Sequence, residues 1–129
     1  MIKTFEQLFE SHCRALEGGK PMDDAAVHAQ LVELPEWRQE EVRDGRRIHR
    51  VYEFANYWEA IAFVNAIAFT IHREDHHPEL VVGYDKVDVR FDTHSVGGIS
   101  LNDFICAAKC DEAYANRSHM SKTSAEVSA

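Results

Sequence analysis

Three histidines in the second half of the chain are the residues best suited to acid–base chemistry. His76 and His77 are adjacent and follow two carboxylates, Glu74 and Asp75, at the end of the most apolar segment. His94 lies one predicted hairpin further along, shortly before a Gly-Gly pair. Imidazole has an unperturbed pKa of about 6.5, so it can give or accept a proton near neutral pH. We therefore interpret the three histidines as an acid–base cluster that the fold assembles.

A buried helix is predicted immediately before His76. Apolar residues recur at helical spacing through 57–74, and Pro78 disfavours helical backbone at the residue before it. The apolar stripe consists of Tyr57, Ile61, Val64, Ala68 and Ile71, widened by Phe63 and Ile67. The sequence therefore places His76 and His77 where this helix stops.

A hairpin and a further helix are predicted on either side of His94. Residues 80–82 are apolar, and residues 87–93 alternate between apolar and polar side chains, as in a half-buried antiparallel strand. A Gly-Gly pair then permits a tight reversal, and a helix is predicted from 101 to about 114. His94 is expected between the end of a strand and the start of a helix.

The first half of the chain supplies the rest of the fold. Its predicted elements, in order, are helices over 4–16 and 23–33 and strands over 37–42 and 48–54, with an Asp-Gly turn at 44–45. Two hairpins separated by a helix predict an α+β fold, a four-stranded antiparallel sheet with helices packed on one face. We assign residues 21–116 to this domain. Residues 1–20 are interpreted as an N-terminal extension with a short helix, and the Ser-rich residues 117–129 as a disordered tail.

Composition and charge exclude several classes of function. The chain has 129 residues, which fits one domain, and its formal net charge of −8 argues against direct binding to a nucleic-acid backbone. No apolar run approaches the roughly 20 residues that span a bilayer, so no membrane partner is expected. The three cysteines, odd in number and without a CxxC pair, favour reduced thiols. The N-terminal residues lack a signal-peptide pattern, and the expected location is cytoplasmic.

Four short stretches stand out together: Glu-Asp-His-His-Pro at 74–78, Tyr-Asp-Lys-Val at 84–87, Thr-His at 93–94 and Gly-Gly-Ile-Ser-Leu-Asn-Asp at 97–103. In this combination the chain resembles the pterin-4a-carbinolamine dehydratase family. The resemblance runs from about Leu31 to Tyr114. It is specific because a His-His-Pro turn is combined with a histidine and an aspartate at these downstream spacings. The fold of the family agrees with the one that the patterning predicts.

The resemblance implies a reaction, the loss of water from a 4a-hydroxytetrahydropterin to give the quinonoid dihydropterin. This step recycles the pterin that aromatic amino acid hydroxylases use. The resemblance also implies that no cofactor or metal is needed, and that the protein forms homodimers or homotetramers. Imidazole suits the chemistry, because the hydroxyl leaving C4a needs a proton and N5 must lose one.

The site residues are carried over from the family one by one. His76, His77 and His94 are the implied catalytic histidines, and we assign acid–base work to His76 and His94. The implied substrate-binding residues are Asp75, His76, His77, Asp92, Thr93, His94 and Ser95. Asp103 matches an aspartate of the family and has a possible supporting role. It also fits a helix-capping role opposite Ser100, and the two roles are compatible.

Three other interpretations compete with a dehydratase. A metal site has suitable ligand types in Asp75 and the three histidines, but neighbouring side chains diverge and no HExxH or CxxC spacing supports it. A non-catalytic dimerisation or assembly-factor protein is possible on the same fold, as related domains serve in such roles. The histidines are also compatible with a solvated, idle turn.

Overall fold

The computed structural model describes residues 2–16 and 18–117. Of the predicted disordered tail over 117–129, all but the first residue lie outside the described residues. Among these residues, none of the helices combines the length and the apolar character that a membrane span requires.

Four α-helices and one four-stranded antiparallel sheet make up the fold. The helices are α1 (Phe5–Glu10), α2 (Asp24–Leu31), α3 (Tyr57–Glu74) and α4 (Leu101–Ala115), and the strands are β1 (Arg38–Val42), β2 (Gly45–Glu53), β3 (Glu79–Val82) and β4 (Lys86–Phe91). The strand order across the sheet is β1-β2-β4-β3, and every pairing is antiparallel. The predicted α+β class is therefore confirmed.

The core lies between α3, α4 and one face of the two central strands. Alternate residues of β2 and β4 are buried on that face, namely Ile48, Tyr52, Val87, Val89 and Phe91. Alternation follows from the pleat, which sends successive side chains to opposite faces. The other face carries an ion-pair network in which Arg47 binds Glu40 and Glu79, and Arg90 binds Glu79 and Asp88. The pattern of the two central strands thus decides which face the helices cover.

Helix α3 has the bounds that its apolar stripe predicts. Its side chains Phe63, Ile67 and Ile71 are buried, and Asn56 caps the N-terminus by accepting a hydrogen bond from the backbone N–H of Glu59. The helix ends at Asp75, which adopts the left-handed conformation with φ of 52°. This reversal, three residues before Pro78, turns the chain so that His76 leaves the helix and points toward α4.

Helix α1 is shorter than predicted. The prediction of a helix over 4–16 is wrong beyond Glu10, because Ser11 is already extended with ψ of 163°. Thr4 and Gln7 form a capping box that starts the helix. The backbone groups of Cys13 and Arg14 bind instead the side chains of Glu74, at the end of α3, and Asn102, in α4. Tertiary hydrogen bonds thus outweigh the local helical preference.

The tip of the β1–β2 hairpin rests against the turn that follows β4. Ile48 of β2 is opposite Phe91 of β4, so the antiparallel register carries Gly45 toward the residues after β4. Gly45 has φ of +147°, and a Cβ built there would lie 2.8 Å from the carbonyl oxygen of Gly97. Only glycine permits this approach. The contact places the hairpin tip beside the turn that carries His94.

Candidate active site

The buried carboxylate of Asp103 is the centre of the candidate site. Asp103 lies in the first turn of α4 and is fully buried. Its Oδ1 is 2.5 Å from Nε2 of His76. Its Oδ2 accepts hydrogen bonds from the Thr93 hydroxyl at 2.9 Å and the Ser100 backbone N–H at 2.8 Å. One carboxylate therefore links the end of α3, the end of β4 and the start of α4.

Burial and hydrogen bonding act on Asp103 in opposite directions. Burial raises the pKa of its carboxyl group above the usual value, and the bonds from His76, Ser100 and Thr93 partly offset that rise. The Thr93 hydroxyl donates to Asp103 and, 2.6 Å away, lies against the Ser100 hydroxyl. A buried carboxylate with several donors and one imidazole is an arrangement that stabilises a positive charge on that imidazole.

His76 is held on two sides. Its side chain is only 12 % exposed, and its ring stacks on Phe91 with a centroid distance of 6.0 Å and an interplanar angle of 9°. The carbonyl oxygen of His76 also receives a contact from the Cys106 thiol at 3.8 Å. Asp103 thus engages Nε2 of His76, and no hydrogen bond to Nδ1 occurs among residues 2–16 and 18–117.

His77 and Asp75 lie on the outer side of the same turn and are exposed. Nε2 of His77 is 3.3 Å from Nδ1 of His72, one helical turn back on α3. The two rings are 5.5 Å apart at their centroids. His77 therefore has one ring nitrogen close to a neighbour, while His76 points inward to Asp103.

His94 opens a short 3₁₀ turn, His94–Val96, directly after Thr93. Its side chain is exposed, as are Asp92 and Ser95. A cavity of about 230 Å³ lies beside it. The cavity is lined by Asp92, Thr93, His94, Gly97 and Gly98 and by the hairpin-tip residues Val42, Arg43, Asp44, Gly45 and Arg46.

The predicted residues thus form two groups that Asp103 connects. His76 binds one oxygen of Asp103, and Thr93, the neighbour of His94, binds the other. Among the described residues, no hydrogen bond or ring contact joins His94 directly to His76 or His77. The shared carboxylate, and not contact between the rings, fixes where the two groups lie.

Two parts of the site's surroundings were not predicted from the sequence. Arg43 and Arg46 of the hairpin tip line the cavity beside His94. These two arginines can be placed there only if the pairing of β2 with β4 is known, and no local sequence pattern specifies that pairing. His12 and Cys13 of the N-terminal segment bind Glu74, two residues before His76.

A metal centre receives no geometric support in the ranges 2–16 and 18–117. No group of three or more His, Cys, Asp or Glu side chains there is arranged to hold a metal ion. His76 is directed at a carboxylate and His77 at another histidine, so the adjacent rings diverge.

Comparison with known proteins assigns the chain to a family. The family model described as pterin 4 alpha carbinolamine dehydratase matches residues 20–113. The chain belongs to this family. A relative from Dechloromonas aromatica, named "Putative pterin-4-alpha-carbinolamine dehydratase", is 49% identical over 112 residues, covering 86% of this chain and 96% of the relative. One of the same name from Nitrosospira multiformis is 43% identical with the same coverage.

Solved structures of pterin dehydratase-like proteins share the fold. A transcriptional coactivator/pterin dehydratase from Brucella melitensis superposes with a TM-score of 0.68 at 27% identity, covering 74% of this chain and 99% of that one. A pterin dehydratase-like protein described as a RuBisCO assembly factor in the alpha-carboxysome superposes with a TM-score of 0.52 at 20% identity, covering 61% of this chain and 89% of that one. The second likeness shows the fold alone.

In this member of the pterin carbinolamine dehydratase family, Glu74 anchors the N-terminal segment beside the site. Its carboxylate accepts from the Cys13 backbone N–H at 2.7 Å and lies 2.8 Å from Nδ1 of His12, with Nζ of Lys109 at 3.8 Å. Burial alone would raise the pKa of Glu74. The hydrogen bonds from Cys13 and His12 and the charge of Lys109 outweigh burial, so the pKa lies below its usual value.

Replacing Glu74 with Gln is expected to flatten the acid side of the stability profile. A carboxyl group whose pKa is lower in the folded state stabilises the fold when ionised, and that contribution is lost as pH falls from about 4.5 through the folded value. The wild type should therefore lose free energy of unfolding more steeply than Glu74→Gln below about pH 5. Urea unfolding at several pH values from 7 to 3 measures the two slopes.

The exposed Glu36 supplies the matched control, and Glu36→Gln should follow the wild-type profile. A Glu74→Gln profile parallel to the wild type across the acid range would contradict the assignment of a stabilising ionised carboxylate at this position.

Proposed function

We propose that this protein dehydrates a 4a-hydroxytetrahydropterin to the quinonoid dihydropterin, within tetrahydropterin recycling for aromatic amino acid hydroxylation. The observation that carries the proposal is the hydrogen-bonded group of His76, Asp103 and Thr93 next to His94, in a chain of the pterin carbinolamine dehydratase family. A cavity of about 230 Å³ adjoins the group on the side of Thr93 and His94.

The reaction needs two proton transfers on one substrate. The C4a–O bond breaks as the hydroxyl leaves with a proton, forming water. The N5–H bond breaks, and its electron pair forms the C4a–N5 double bond. An acid–base group is most effective when its pKa lies near the operating pH, which is the ordinary range of imidazole.

We assign one of these transfers to His76. Asp103 binds Nε2 and fixes the orientation of the ring, so Nδ1 is the atom that exchanges a proton with the substrate. When Nδ1 takes up a proton, the adjacent carboxylate stabilises the imidazolium. Asp103 acts through His76 and is therefore a positioning residue.

We assign the other transfer to His94, on the cavity side of the site. Its exposure suits a group that exchanges protons with water between turnovers. Asp75, Asp92, Thr93 and Ser95, with His77, are proposed to bind the pterin. Carboxylate and hydroxyl oxygens accept hydrogen bonds from the amino and ring N–H groups that a pterin presents.

A non-catalytic role remains the alternative on this fold. One solved relative is described as a transcriptional coactivator/pterin dehydratase, and the other as a pterin dehydratase-like assembly factor. Those roles are described for the relatives. For this chain, a dehydratase assay distinguishes an enzyme from a non-catalytic protein.

Replacing His76 or His94 with Ala is expected to lower kcat about 10²- to 10⁴-fold, the usual contribution of a positioned acid–base group. The measurement is the rate of dehydration of synthetic 4a-hydroxytetrahydropterin, followed by absorbance of the quinonoid product. His28→Ala is the matched control, because His28 is an exposed histidine on α2, and it should keep the wild-type rate.

Turnover near the wild-type rate in both His76→Ala and His94→Ala would remove the catalytic assignment. A wild-type protein with no dehydratase activity, while folded, would favour the non-catalytic alternative.

We also propose that the protein is a cytoplasmic homodimer or homotetramer. In the described chain, β1 and β3 are edge strands, each paired on one side only. Unpaired strand edges are commonly protected by pairing with another copy. Light scattering coupled to gel filtration should give twice or four times the chain mass of 14.8 kDa. A monomer mass at micromolar concentration would contradict the proposal.

A further inference from the structure

Two cysteines far apart in the sequence meet behind the candidate site. The Sγ atoms of Cys13 and Cys106 are 3.5 Å apart, although 93 positions separate them. Cys106 is fully buried in α4, and Cys13 is half-buried in the segment after α1. A disulfide requires the sulfurs to approach to about 2.05 Å, so each side chain needs to move by less than about 1 Å.

The backbone around Cys13 is held in place for this approach. The Cys13 N–H donates to Glu74, the Arg14 N–H donates to the Asn102 side chain at 3.1 Å, and that side chain donates to the Arg14 carbonyl at 2.6 Å. Asn102 and Cys106 are four residues apart on α4, so they lie on the same stripe of the helix. The N-terminal segment and α4 therefore each hold one of the two thiols in place.

We propose that Cys13 and Cys106 are an oxidation site, forming an intramolecular disulfide that ties the N-terminal segment to α4. The oxidant is a small disulfide such as oxidised glutathione. The disulfide closes across the back of the turn that carries His76, since the Cys106 thiol contacts the His76 carbonyl in the reduced protein.

The order of the two exchange steps follows from accessibility. The contact with Cys13 and burial raise the pKa of the Cys106 thiol, so Cys13, the more exposed of the two, attacks first. Its thiolate forms an S–S bond to one glutathione sulfur and expels the other as a thiolate. Cys106 then gives up its proton and attacks the Cys13 sulfur, which releases the second glutathione. Two thiols are oxidised and one glutathione disulfide is reduced to two thiols.

Cys110 provides a matched control within the same helix. It is buried one turn after Cys106, and burial raises the pKa of its thiol. Within residues 2–16 and 18–117, the sulfur of Cys110 makes no hydrogen-bonding contact with another cysteine sulfur, whereas those of Cys13 and Cys106 make one with each other. Cys110→Ser is therefore expected to form the same disulfide as the wild type, whereas Cys13→Ser is not.

Peptide mapping of the full chain after incubation with oxidised glutathione tests the proposal. Trypsin places Cys13 on residues 4–14, Cys106 on 91–109 and Cys110 on 110–117, so each pairing gives a different cross-linked mass. The expected product is the peptide pair 4–14 and 91–109, in the wild type and in Cys110→Ser. Persistent glutathione on Cys13 with Cys106 as a free thiol, or a cross-link through Cys110, would overturn the proposal.

Thermal unfolding gives a second readout that needs no variant at Cys106. A disulfide between Cys13 and Cys106, 93 positions apart, lowers the conformational entropy of the unfolded chain. Oxidation should therefore raise the Tm of the wild type by on the order of 10 °C. The same treatment should leave the Tm of Cys13→Ser unchanged. An equal rise in both proteins would contradict a Cys13–Cys106 disulfide. Neither readout depends on dehydratase activity.

Discussion

The hydrogen bonds to the Asp103 carboxylate are the interaction on which the candidate site depends. A buried carboxylate is costly unless donors replace the water it loses, and here an imidazole, a hydroxyl and a backbone N–H do so. These donors come from three separate places in the chain: the end of α3, the end of β4 and the start of α4. Satisfying one charge therefore fixes the relative positions of His76 and the strand end that precedes His94.

The surrounding fold buries the inner side of this group. Residues Asn102 to Cys110 of α4 are all buried, and Phe91 covers one face of the His76 ring. On the far side, Glu74 and Asn102 bind the N-terminal segment across α4. The outer side, with His77 and His94, stays exposed to solvent. The group of His76, Asp103 and Thr93 therefore has a buried inner side and, next to it, an outer surface that solvent reaches.

Local sequence patterns predict an element well where its periodicity, its capping residue and its terminating residue all agree. Helix α3 has an apolar stripe, a capping asparagine and a following proline, and its observed bounds match the prediction. The predicted α1 is too long. The segment after Glu10 is held by hydrogen bonds to Glu74 and Asn102, and the periodicity of the sequence does not show that these distant residues lie nearby. The order of the strands lies beyond local pattern too, so the hairpin tip with Arg43 could not be placed beside His94. The role of Asp103 stays open in the sequence, because an aspartate at this position can cap α4 through Ser100 or bind a distant side chain. The structure shows both contacts, one with the Ser100 N–H and one with His76.

The most direct test of the account is a crystal structure of the protein with a bound, non-reacting oxidised pterin. The pterin ring is expected to lie between His76 and His94, with Nδ1 of His76 and a ring nitrogen of His94 each within about 3 Å of a pterin atom, or one water away. The bond between Nε2 of His76 and Asp103 should remain intact. A pterin bound elsewhere, or one that His76 reaches only after leaving Asp103, would contradict it.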